Sequence, residues 1–158
     1  MKAASISEIK SELKALPPAQ LTELCLRLAR FKKENKELLT YLLFEANDVS
    51  TYVSGVKGEI EEAFGDVNWS NLYFAKKTIR KILRTVNKYS RYTGDKQAEA
   101  EMLIHFCKTL KGSGKPFHRN AALLKLYQGQ VKKIKTLIDS FHEDLQYDYL
   151  QEVNALDV

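Results

Sequence analysis

Apolar residues in this chain recur three and four positions apart, stretch after stretch, and that period fits an α-helix and little else. Ile6, Ile9, Leu13 and Leu16 fall on one stripe, and Leu21, Leu24, Cys25 and Leu28 on another. Val49, Tyr52, Val53, Val56, Ile60, Ala63 and Phe64 repeat the pattern. The longest run is Leu123, Tyr127, Val131, Ile134, Ile138, Phe141, Leu145 and Tyr149. Residues that reverse a chain are scarce: seven Gly and three Pro in 158 positions do not supply the turns of a many-stranded sheet. The sequence therefore predicts an all-α protein of six to seven antiparallel helices in a single domain over 1–158, long enough to bury a continuous core.

Local signals divide the helices. Ser5 with Glu8 has the form of a capping box for the first helix, Pro17 stops it, and Pro18 opens a second over about 18–31. Asn35 is the expected N-cap of a third helix near 36–46. Its Leu38, Leu39, Tyr41, Leu42, Leu43 and Phe44 make it apolar almost all round, which predicts a place at the centre of the core. Asn47-Asp48 either starts a fourth helix or lies within a continuous one. Gly55 and Gly58 fall inside that helical pattern, where close helix–helix approach is the expected reason for them and a kink the alternative, and Gly65 ends it.

Ser70 is the expected cap of the fifth helix, with Trp69 stapled onto Phe74. Thr93-Gly94 ends it, and Asp95 starts a sixth whose Met102, Leu103, Phe106 and Leu110 face inward. After the loop Lys111–Pro116, one long last helix is expected from Asn120 to Val153, with Gly129 as its weak point.

The paired helices over 18–46, PAQLTELCLRLARFKKENKELLTYLLFEA, resemble the helix–turn–helix units of alpha–alpha superhelices of the HEAT kind. They are also similar to small all-helical bacterial proteins of no assigned function. This implies a helical-repeat-like architecture, a short superhelix or else an irregular bundle, and carries no functional residue across.

Charge is laid down in blocks. The net charge is +5, but residues 67–94 hold seven cations and no acid, residues 102–138 hold eight cations and no acid, and residues 139–158 hold six acids and no Lys or Arg. The first block is a single helix. On a wheel of about 100° per residue, Leu72, Ala75, Ile79, Ile82, Leu83, Val86 and Tyr89 share one face. Lys76, Arg80, Arg84, Lys88 and Arg91 line the other, flanked by Lys77 and Lys81, with Tyr73 and Asn87 among them. Lys76, Arg80, Arg84 and Lys88 are successive i,i+4 neighbours, and such a row costs on the order of 1–2 kcal/mol in self-repulsion.

A row kept at that cost predicts a binding ridge for a polyanion, either a nucleic acid or an acidic protein. Lys and Arg would track the phosphates, Tyr73 would stack, and Asn87 would make a polar contact. The competing expectation is a solvated face, or one neutralised by other parts of the same chain. Asp139, Glu143, Asp144, Asp148 and Glu152 would crowd the C-terminal end of the last helix, where the macrodipole disfavours them, and would pair with the basic helix instead.

Other chemistries are weakly signalled. Gly112-Ser113-Gly114-Lys115 fails the spacing of a phosphate loop, and Pro116 stands where that motif needs Ser or Thr. Glu101 with His105, and Asp139 with His142, are each spaced to share a helical face, but a di-iron bundle needs a fuller set of ligands. Cys25 and Cys107 lack a nearby activating group and are expected as buried packing residues in a reducing compartment. No nucleophile or zinc-protease motif occurs, so the chain reads as non-catalytic, without cofactor or metal. The N-terminal MKAASISEIKSELK is charged where a signal peptide is apolar, and no run is long enough to span a bilayer, which predicts a cytoplasmic protein with no membrane partner.

Overall fold

A computed structural model describes residues 1–157. Among the described residues all regular structure is helical, with eight α-helices, one π-helical segment and one 3-10 turn. The chain divides into two compact units, residues 1–44 and 45–158.

The first unit holds α1 (Ile6–Ala15), α2 (Pro18–Phe31) and α3 (Lys33–Thr40), and α3 runs on into a π-helical segment, Tyr41–Glu45. The Ser5/Glu8 capping box forms as expected, with Glu8 N–H donating to Ser5 Oγ and Ser5 N–H to Glu8 Oε2. Pro18 occupies the first turn of α2. Asn35 is not a cap: α3 begins at Lys33, three residues earlier than expected, with Lys32 at the N-cap position. The Asn35 side chain instead donates back to the Leu28 carbonyl at 2.8 Å, which ties the start of α3 to the end of α2.

The expectation that the third helix lies at the core centre is wrong. Leu38, Leu42, Leu43 and Phe44 are exposed, and Tyr41 alone is buried among the described residues of this unit. Apolar content all round a helix makes burial favourable but does not name the partner that provides it. Cys25, expected in the interior, is also exposed.

The second unit holds α4 (Val49–Gly65), α5 (Leu72–Thr93), α6 (Lys96–Gly112), the 3-10 turn Phe117–Arg119, α7 (Ala121–Ile138) and α8 (Glu143–Asn154). Asp48 caps α4 by accepting from Thr51 N–H at 3.0 Å, so the fourth helix has its own start. Helix α6 is the centre. It packs against α4, α5 and α7, and its Ala98, Ala100, Met102, Leu103, Ile104, Phe106, Cys107 and Leu110 are buried. On the wheel these residues cover the helix except for one strip, Glu101, His105 and Lys108. Helix α7 presents Leu123, Tyr127, Val131, Ile134 and Ile138 inward, the stripe that the period predicts.

That stripe does not belong to one long helix. The last helical stretch breaks at Asp139–His142, not at Gly129, and α8 folds back on α7. Phe141 packs edge-on to Tyr149 at 5.5 Å between ring centroids, and the Tyr127 hydroxyl donates to the Leu156 carbonyl at 2.6 Å. The break also changes the electrostatics. Glu143 and Asp144 now lie in the first turn of α8, where the macrodipole favours acids.

Gly55 and Gly58 are exposed, and a Cβ built on either would meet nothing within 4 Å, so close helix approach is not their reason. With ordinary helical backbone and open space around it, Gly58→Ala should stabilise the protein by about 0.5–1 kcal/mol. Urea denaturation checks this; a lower midpoint would mean that the site is packed after all.

Candidate functional site

The basic helix starts one residue later than its sequence suggests. Asn71 is its N-cap, accepting from Tyr73 N–H at 3.0 Å and Phe74 N–H at 3.4 Å, and Gly94 ends it in the left-handed region at φ 62°. Ser70 does not cap; its hydroxyl and N–H both donate to Asn68 Oδ1. Trp69 packs partly buried against the core. Phe74 is half exposed and stands edge-on to Tyr73 at 5.4 Å, rather than stapling to Trp69.

Ala75, Ile79, Ile82, Val86 and Ser90 bury one face of α5, and Ser90 is satisfied by donating to the Val86 carbonyl at 2.8 Å. The opposite face carries the cations. Tyr73, Lys76, Lys77, Arg80 and Arg84 come together around one open, shallow groove, joined by Leu83 and Asn87. Tyr73 is 66% exposed there, directly in line with the charges.

The remaining candidates lie apart. Lys81 lines a second groove between α4 and α5, floored by Val56, Ile60, Ile82 and Val86. Lys88 is half-buried with its ammonium over the Tyr89 ring at 5.0 Å, and Arg91 is exposed in the last turn. Leu83, placed on the apolar face by its wheel angle, edges the groove; its shoulder position was the only signal of that.

Asn87 is engaged rather than waiting for a ligand. Its amide donates to the Leu83 carbonyl, and its Oδ1 accepts from Lys133 of α7 at 3.0 Å. Lys133 also pairs with Glu99 of α6 at 2.6 Å, so one lysine links three helices.

The acidic tail does not cover this face. Glu152 pairs with Lys108 of α6 at 2.6 Å and Asp157 with Lys135 of α7 at 3.1 Å. Among the described residues, no ion pair reaches Lys76, Lys77, Arg80, Lys81, Arg84 or Arg91. Acids crowding a helix C-terminus would favour tail pairing, but the break before α8 places Glu143 and Asp144 at a helix N-terminus.

A second polar region forms where α6 turns its one uncovered strip toward α4 and α8. Lys57, Glu101, His105, Lys108, Tyr149 and Glu152 line a cleft there. Glu101 accepts from Lys57 at 3.0 Å and from the Tyr149 hydroxyl at 2.9 Å. Burial works against its ionisation, but the hydrogen bonds from Lys57 and Tyr149 and the Lys57 charge outweigh burial and hold the carboxyl below the usual range. Burial and the bond to Glu101 push the Tyr149 phenol up to about 12.

His105 Nε2, itself hidden from solvent, lies 3.1 Å from Glu61 Oε1 without the alignment of a hydrogen bond. Burial lowers its pKa despite that neighbour. Glu101 is therefore taken up by Lys57 and Tyr149, while His105 stands beside Glu61. Among the described residues, no three of His, Cys, Asp and Glu meet as a metal-binding set. His142 caps α8, accepting at Nδ1 from Asp144 N–H at 3.4 Å. Cys107 is buried as expected, and burial raises its thiol to about 12. No helix of the described residues is long and apolar enough to cross a membrane.

Comparisons with protein-family models, with curated proteins and with solved structures give no match.

Two outcomes are expected from these geometries. Arg80→Gln with Arg84→Gln relieves the like-charge contacts 76–80, 80–84 and 84–88, and should raise stability by about 1 kcal/mol at low ionic strength, less in salt. A fall in the urea midpoint would reveal a partner for the row within the protein. Glu101, with its folded pKa lowered, contributes stability at neutral pH that is lost as pH falls through that value. Glu101→Gln should thus cost about 1 kcal/mol at pH 7, a modest figure because the site is partly exposed, and the gap from wild type should narrow as pH falls below the ordinary carboxylate range.

Proposed function

We propose that this protein is a non-catalytic interaction module that binds a polyanion, with a nucleic acid as the leading ligand, through the basic face of α5. The observation that carries the reading is that Lys76, Lys77, Arg80 and Arg84 surround one groove while, among the described residues, no acid pairs with them. A solvated face needs no such arrangement, and the row works against its own helix. Lys76, Arg80 and Arg84 recur at about 6 Å along the axis, and an exposed Tyr73 beside them suits stacking on a base.

Lys81 and Arg91 belong to the outer part of the same surface, and Lys88 to its half-buried edge. Asn87 is left out, since Lys133 and Leu83 already use its polar atoms. An acidic protein would be drawn to the same cations. For architecture we adopt the irregular bundle over the short superhelix, because α6 is packed on three sides.

Fluorescence anisotropy against labelled DNA at several salt concentrations tests the proposal. Neutralising about five phosphates gives a slope of log affinity against log salt near −4 to −5, and Arg80→Glu with Arg84→Glu should flatten it by about 2. Absence of binding at low salt overturns the nucleic-acid reading, and binding of an acidic polypeptide alone reassigns the surface.

A further inference from the structure

The first turn of α5 leaves two aromatic rings in water. Tyr73 is 66% and Phe74 51% exposed, and both stand outside the face that Ala75, Ile79, Ile82 and Val86 bury. The rings meet edge-on, with centroids 5.4 Å apart and planes at 76°, so each braces the other. Tyr73 lines the same groove as Lys76, Lys77, Arg80 and Arg84. Lys77 lies one turn beyond both rings, at i+4 from Tyr73 and i+3 from Phe74. The aromatic pair thus opens a row of cations that runs on for about 16 Å of helix.

We propose, on the footing that α5 binds a polyanion, that its groove takes a single-stranded nucleic acid rather than a duplex. Bases stack on Tyr73 and Phe74, and the phosphates of the strand follow Lys76, Arg80 and Arg84.

The rings distinguish the two forms. A duplex stacks its bases on one another and turns their edges and its backbone outward. An aromatic face then finds no base to lie on without first prising a step apart. A single strand exposes its bases, and stacking on aromatic side chains beside a cationic track is how such strands are held.

The charges agree. On the side toward α7 the groove is bounded by Asn87, with Leu83 one turn before it. The lysine that reaches Asn87 there, Lys133, already pairs with Glu99 at 2.6 Å, so it is not free to hold a second backbone. A lipid surface fits less well. An interfacial helix sinks a whole apolar face into the headgroup region, whereas α5 keeps that face in the core and confines its exposed large apolar side chains to Leu72, Tyr73 and Phe74.

Fluorescence anisotropy of the full chain at low salt tests the proposal, with a labelled oligothymidylate of about 12 nucleotides and a duplex of the same length. The single strand should bind about ten-fold tighter or more. Tyr73→Ala with Phe74→Ala should weaken strand binding by about ten-fold, the size of base stacking on an aromatic ring, and leave the salt slope unchanged. Both side chains are exposed, so the variant should keep its helical circular dichroism. Calorimetric titration with inorganic polyphosphate, which has the charge and no bases, should give the same affinity for variant and wild type. Tyr73→Trp should retain strand binding. Equal wild-type affinity for the two forms, or strand binding indifferent to the double substitution, overturns the single-strand proposal and leaves a polyanion site standing. No binding of any polyanion at low salt overturns both. Binding of anionic phospholipid vesicles or of polyglutamate, with neither oligonucleotide bound, overturns it in favour of a lipid surface or an acidic protein.

Discussion

Helix α6 must be covered on three sides, and the second unit is arranged to do it. A helix with buried residues over most of its circumference is stable only inside a protein, since exposing eight such side chains would forfeit most of the core. Helices α4, α5 and α7 each give it one apolar face, which leaves their other faces free to be polar. The strip that remains, Glu101, His105 and Lys108, is where the polar groups of α4 and α8 converge. Lys57, Tyr149 and Glu152 supply the partners that a half-buried carboxylate and ammonium require. The return of α8 after α7 thus brings Tyr149 and Glu152 to α6.

The two-faced character of α5 follows from the same constraint. Its Ala75, Ile79, Ile82 and Val86 are spent on α6 and α4, so seven cations of one helix have only the outer side to occupy. The tail acids are engaged elsewhere or stand in solvent. Glu152 and Asp157 stay on α6 and α7, and Glu143 and Asp144 sit favourably at the start of α8. Among the described residues, no ion pair reaches Lys76, Lys77, Arg80 or Arg84, so their charge stays on the outer face of α5.

Much of this was legible in the residues. Period alone located the inward stripes of α5 and α7, and the Ser5/Glu8 box, Pro18, Asp48, Gly94 and Asp95 each ended or began a helix where local hydrogen bonding required it. The cationic face of α5 was readable because a helix wheel is a local property. Its grouping was not: Lys81 and Arg84 are three residues apart, yet they line different grooves, because α4 lies against only one flank. Asn87 was misjudged for the same reason, since its partner Lys133 is 46 positions away. The break at Asp139–His142 escaped because the apolar stripe continues through it; Phe141 serves the turn and the core alike.

The sequence by itself determined the helical class, most of the caps, and which side of α5 is charged, because each depends on hydrogen bonds and side-chain directions within a few residues. Only the tertiary structure decided which helix is central. The 36–46 segment is as apolar as α6, yet it shows its leucines to water while α6 is enclosed. Hydrophobicity states that burial is favourable, and only the packing of distant segments says where it occurs. The fate of the acidic tail was decided the same way, since attraction between opposite charges is blind to connectivity until the chain turns back at Asp139 and brings Glu152 to Lys108.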